Sequence, residues 1–178
     1  MNIPTQVQEK LSAYKGRFPV PVVALANDLG IDVYQTNDLS DRESGMIKRE
    51  GNKYVIYVNE RHPATRKLFT IAHEIAHFAK HKDQLDGGDE HIDSIDQPVL
   101  NGSTGNMLKR EDGRVLTDEQ KKIESEANTI AAEILMPEQE FVQVFKLANS
   151  LEEVAEKFGV STAAAAIRAK CLIGEVIF

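Results

Sequence analysis

Two histidines four residues apart, with a glutamate directly after the first, stand in the segment "TIAHEIAHFAKH" from Thr70 to His81. On an α-helix His73 and His77 project from one face, one turn above the other. Two imidazoles so placed can reach a single cation at about 2.0–2.1 Å. Glu74 is turned about 100° from His73, onto the flank of the pair. That is too far round for a third ligand, yet near enough to take a proton from a water held there. The chemistry this pattern suits is metal-assisted peptide hydrolysis, with Glu74 as the catalytic base that later hands the proton to the leaving amine. Zn2+ is the expected cofactor, because hydrolytic zinc sites take His and carboxylate ligands and keep one position open. A donor for the developing oxyanion is also needed. His81, His91, Tyr54 and Tyr57 are candidates that spacing does not separate.

The elements that must position these groups follow from the same stretch. Leu68, Ala72, Ile75, Ala76 and Ala79 form an apolar seam beside the histidines, which predicts a half-buried helix from Pro63 to about His81. Zinc then needs a third protein ligand. One route breaks the helix at Lys80 and brings Asp83 round, but lysine does not readily take the left-handed turn this requires. The other route uses a second helix. Thr117 and Gln120 read as a capping box that opens a helix ending before Pro137, with an apolar stripe of Ile123, Ala127, Ile130, Ala131 and Ile134. It offers Glu124, Glu126 and Glu133. Glu124 aligns with Asn128, Ala131 and Leu135 on the edge of the buried face, where Asn128 is placed to hydrogen-bond a ligand histidine. Glu126 aligns with Glu133 on the opposite edge. The spacing favours Glu124 as the metal ligand, with Glu126 as the alternative and Glu133 on a solvated face.

The rest of the chain reads as a mixture of helices and strands. Residues 3–14 suggest a short helix, and "PVVALANDLG" a second one opened by Pro21 and closed at Gly30. "IDVYQ" is a strand candidate, and "SGMIKREGNKYVIYVN" a hairpin turning at Glu50-Gly51-Asn52. The "KYVIYVN" strand is a place where substrate backbone could add as a further strand. From Lys82 to about Gly105 the periodicity dissolves, and a short hairpin around Asp112-Gly113 follows. After Pro137, a helix is expected over 138–147. Ser150 with Glu153 reads as another capping box, for a helix stopping at Gly159, and Ser161 caps a last helix through "AAAAIRAK". This final pair has the form of a helix-turn-helix. Its second helix holds only Arg168 and Lys170 as basic residues, too few for reading DNA, so a pair that closes the core is the expected role.

Taken together, "FTIAHEIAHFAKH" followed by "IESEANTIAAEILMPE" resembles the ImmA/IrrE-type metallopeptidases, small gluzincin-like proteins. The likeness extends to "ALANDLGIDV", "SGMI" and "IYVN" upstream and "SLEEVAEKFGVSTAAAAIR" downstream, from Pro21 to Arg168. It implies that His73, His77 and Glu124 are the metal ligands and Glu74 the catalytic carboxylate. It further implies a regulatory protease that cleaves a helix-turn-helix repressor and so derepresses genes of a mobile element or a stress response. The chain has no room for a helix-turn-helix ahead of the protease, so the repressor is expected on a separate polypeptide. The connection from Lys82 to Lys122 is long for the family. The expected fold class is α+β: a minimal zincin-like domain over 1–148, with a small β-sheet on the histidine helix and a second ligand-bearing helix, then a C-terminal helical extension over 149–178.

Composition bounds the alternatives. The chain of 178 residues is 42% hydrophobic and 28% charged, as in ordinary globular proteins, and carries a net charge of −7. That charge argues against sequence-independent nucleic-acid binding. No apolar run is long enough for a membrane span, the N-terminus has no secretory pattern, and Cys171 is the sole cysteine, so a cytoplasmic location is expected. Two other functions stay open. One is a non-proteolytic, metal-bearing regulator or binding partner in a repressor or toxin–antitoxin type of system. The other is a DNA-binding regulator using the C-terminal helices.

Overall fold

The structure, a computed structural model, describes residues 3–86, 91–94 and 117–174. Its centre is a 23-residue helix, Ala64–Asp86, opened after Pro63, whose carbonyl accepts the Lys67 N–H at 3.0 Å. In chain order the elements are α1 (Thr5–Leu11), a 3-10 turn (Ser12–Tyr14), α2 (Val22–Asp28), β1 (Ile31–Thr36), β2 (Glu43–Glu50) and β3 (Lys53–Asn59). The long helix is α3, followed by β4 (His91–Ser94), α4 (Asp118–Leu135), α5 (Glu138–Leu147), α6 (Leu151–Phe158) and α7 (Thr162–Ile173).

The seam expected beside the histidines understates the burial. Residues 70–78 are all buried, so this part of α3 is enclosed on every side and not half-exposed. The sheet covers one side and α4 another. The helix also runs past His81 to Asp86, because Leu85 still packs into the core. Helix therefore occupies the start of the stretch that lacked periodicity. The expected hairpin around Asp112-Gly113 lies outside the described residues.

The sheet has four strands in the order β1-β3-β2-β4. β2 and β3 form the expected antiparallel hairpin, with Ile47 opposite Ile56. β1 pairs parallel with β3, Ile31 opposite Tyr54, and β4 pairs antiparallel with β2. Ile31, Ile47, Ile56 and Val58 point to one face and join the core with Ile71, Ala72 and Ile75 of α3. On the other face Tyr57 stacks near Tyr34, with the Lys48 ammonium over its ring. β3 thus has a neighbour on both sides. It cannot accept an added substrate strand, contrary to the sequence expectation; the edges among the described residues are β1 and β4.

Two glycines mark close approaches. A Cβ on Gly45 would stand 2.5 Å from Thr70 Cγ2 and 2.7 Å from the Tyr57 carbonyl oxygen, so β2 lies directly on α3 at the turn before His73. Gly159 closes α6 in the left-handed region at φ 67°, as its position after Phe158 predicts. Ser150 caps α6 through the Glu153 N–H, but the expected reciprocal bond is redirected: the Glu153 carboxylate accepts the Asn149 N–H at 2.9 Å. Val154, Ala155 and Phe158 of α6 and Ala165 and Ala169 of α7 belong to the same apolar core as α3.

Gly45→Ala should destabilise the protein by about 1–3 kcal/mol, the usual cost of forcing atoms into a packed contact. The midpoint of urea unfolding measures it. An unshifted midpoint would mean that β2 and α3 have more room than this geometry allows.

Candidate metal centre

α3 and α4 pack against each other with small buried residues, Ala72 and Ala76 on α3 and Ala127 and Ala131 on α4. The start of α4 is fixed by both halves of the predicted capping box. Thr117 Oγ1 accepts the Gln120 N–H at 3.2 Å, and Gln120 Oε1 accepts the Thr117 N–H at 3.0 Å. Glu124 follows two turns later, on the side of α4 that meets the histidines.

Three donor atoms converge there. His73 Nε2 and His77 Nε2 are 2.9 Å apart, and Glu124 Oε2 lies 3.3 Å from the first and 3.6 Å from the second. The three residues are buried, at 1%, 2% and 8% exposure. A tetrahedral ion bound at about 2.0–2.1 Å has ligand atoms about 3.3–3.4 Å apart. The observed triangle has that size, and its chemistry of two imidazole nitrogens and one carboxylate oxygen suits a divalent metal. The buried His73, His77, Glu124 group could therefore hold a metal ion. The Phe69 ring stacks on the His73 imidazole with centroids 6.2 Å apart, which limits its rotation. Glu74 sits beside the pair with no solvent exposure, and Asn128 is buried one turn after Glu124.

The other sequence candidates separate clearly. Lys80 is helical and α3 continues beyond it, so the route that brings Asp83 round by a chain reversal is closed. Glu126 is half-buried and outside the cluster. Glu133 is not on a solvated face: it pairs with the Arg168 guanidinium, which is itself buried and donates through Nε to the Met136 carbonyl at 3.0 Å. Arg168 is thus turned inward, leaving Lys170 as the exposed basic residue of α7. Tyr54 packs edge-to-face on Phe78. The Tyr57 hydroxyl donates to Glu50 on the outer sheet face; burial, and then that bond, raise its pKa above the usual phenol range. The side chains of His81 and His91 lie outside the described residues. Sequence reasoning passed over Phe69 and Thr70, although both stand beside the motif it used. A cavity of about 500 Å3, lined by Leu11, Phe18, Val20 and Glu133 among others, includes none of the cluster residues.

The family model described as Peptidase M78, the IrrE N-terminal-like domain, matches residues 26–97 and 102–170. The chain belongs to this family. The matched residues of this M78 chain include all three members of the cluster and Glu74. Among curated proteins none matches. The solved structure of a Mycobacterium tuberculosis transcriptional regulator is similar in fold, with a TM-score of 0.59 at 16% identity over 94% of this chain. The M78 chain spans about half of that protein, 47% of its length. Among the described residues, no helix is long and apolar enough to cross a membrane.

Purified protein should carry about one zinc per chain, lost in His73→Ala and Glu124→Ala and kept in Glu126→Ala. Elemental analysis after gel filtration reads this directly. Zinc retained by Glu124→Ala but lost by Glu126→Ala would reverse the ligand assignment.

Proposed function

We propose that the protein is a zinc-dependent endopeptidase acting on a protein substrate in the cytoplasm. The observation that carries this reading is the convergence of His73, His77 and Glu124 beside a buried Glu74. When bound, zinc supplies a Lewis acid for the scissile carbonyl and brings a water's pKa toward about 7. The chain's own residues do the rest. His73 and His77, one helical turn apart, hold their Nε2 atoms 2.9 Å from each other, and the Phe69 ring stacks on the first. Glu124 adds the carboxylate from a separate helix. Glu74, on the flank, takes the proton of the attacking water and delivers it to the leaving amine.

The proposed substrate is a helix-turn-helix repressor carried on a separate chain, whose cleavage would derepress genes of a mobile element or stress response. Membership of the M78 family supports it, as does the net charge of −7, which complements the basic surface of a DNA-binding protein. The structural neighbour, a transcriptional regulator, favours a second reading: a metal-bearing regulator that acts by binding and not by hydrolysis. The inward turn of Arg168 weighs against a role in which α7 reads DNA.

Glu74→Gln separates the first two readings. It should keep its zinc and its partner while peptide cleavage falls to background, because Gln preserves shape but cannot accept the proton. Labelling new N-termini in a cell lysate treated with wild-type or variant protein measures this. Termini that depend on Glu74 and fall within a repressor support the proposal. Equal termini from both proteins, or none from either, would leave the binding reading.

A further inference from the structure

Thr70 is one of four polar residues in the enclosed stretch of α3, with His73, Glu74 and His77. At about 100° per residue these four fall within an arc of about 100° on the helix, with Thr70 one turn before Glu74 and angularly between Glu74 and His77. Its side chain has no solvent exposure, and its hydroxyl makes no hydrogen bond among the described residues. A helical threonine ordinarily avoids this by donating to the carbonyl four residues back. Thr129 does so here, to the Ser125 oxygen at 2.7 Å. Thr70 does not.

The methyl group of Thr70 explains half of the residue. It is committed to β2, at the close approach of Gly45 described above. Packing alone would be met equally by valine, which fills the same shape without burying a hydroxyl. Serine, in contrast, would supply the hydroxyl without the packing. A hydroxyl kept where it costs stability, on the arc shared with Glu74 and the histidines, points to a task there.

We infer that Thr70 is a positioning residue for Glu74: its hydroxyl donates to the Glu74 carboxylate as that side chain turns to take a proton from water. Side chains four apart on a helix are neighbours, about 5–6 Å between Cβ atoms, so rotation of the longer glutamate reaches the hydroxyl. No bond is broken in this step; the hydroxyl keeps its proton and fixes the direction of the carboxylate. The inference rests on the peptidase reading above.

Two substitutions test it by opposite orderings. Thr70→Val should melt at or above the wild-type temperature, in zinc-free and zinc-loaded protein alike, and bind zinc as tightly. Its yield of Glu74-dependent N-termini from the same lysate should fall by about 10- to 100-fold, the loss of one hydrogen bond to a charged group. Thr70→Ser should melt lower, having lost the methyl against Gly45, yet cleave at a rate near wild type. A purely structural threonine would move melting temperature and cleavage together. Wild-type cleavage by Thr70→Val, or a lower melting temperature for it, overturns the inference and leaves the peptidase intact. An inactive wild-type protein fails the peptidase reading first and this one with it.

Discussion

The rest of the structure depends on a single demand: four polar side chains are held in the otherwise apolar, enclosed stretch 70–78 of α3 with almost no access to water. Each such group costs free energy unless a partner replaces the water it has lost. The histidines meet this demand through one another and through Glu124, whose oxygen lies within 3.6 Å of both Nε2 atoms. A shared proton satisfies one pair of those atoms; a divalent cation satisfies all three at once. A second helix supplies the carboxylate, since α4 presents Glu124 to both histidines. Small residues on both helices let the carboxylate span the gap.

The sheet is adapted to the same helix. Gly45 sits where β2 crosses the turn of α3 just before His73, and its missing side chain permits the contact. Ile47, Ile56 and Val58 then seal the flank of α3 with apolar surface. The site is therefore built on two rigid helices and a strand, not on loops, which suits a group of ligands that must keep their spacing to a few tenths of an ångström.

Much of this was legible in residue order. His73, Glu74 and His77 fixed one face of one helix, and helical angles separated Glu124 from Glu126 before any contact was known. Proline and glycine marked the ends of α2, α4 and α6, and the Thr117 capping box opened α4 where it was expected. What the sequence concealed depends on tertiary partners. β4 has only four residues and no alternating pattern, and it is a strand because β2 offers it an edge. Glu133 looked solvated because its helix face is polar, and only the fold brings Arg168 to it from α7, thirty-five positions away. Glu153 redirected its bond to Asn149 by a single residue, a change that local spacing could not distinguish. The full burial of residues 70–78 was hidden for the same reason: their polar arc resembles a solvent face until α4 covers it.

Two of the glutamates of α4, Glu124 and Glu133, show how these contacts set the helix in register. Glu124 and Glu133 are nine residues apart, which places them on opposite sides of the helix, about 180° round. Glu124 faces the histidines of α3, and Glu133 faces Arg168 and also accepts the first N–H of α5. Alanines between them would tolerate a slide or a turn of α4 over its neighbours, since small apolar surfaces carry little directional information. The charges would not. A rotation by one residue, about 100°, withdraws Glu124 from the two histidines and Glu133 from its guanidinium together. Both ends of α4 thus oppose the same motion from opposite faces, and the position of the third donor atom is specified by an ion pair that never touches it.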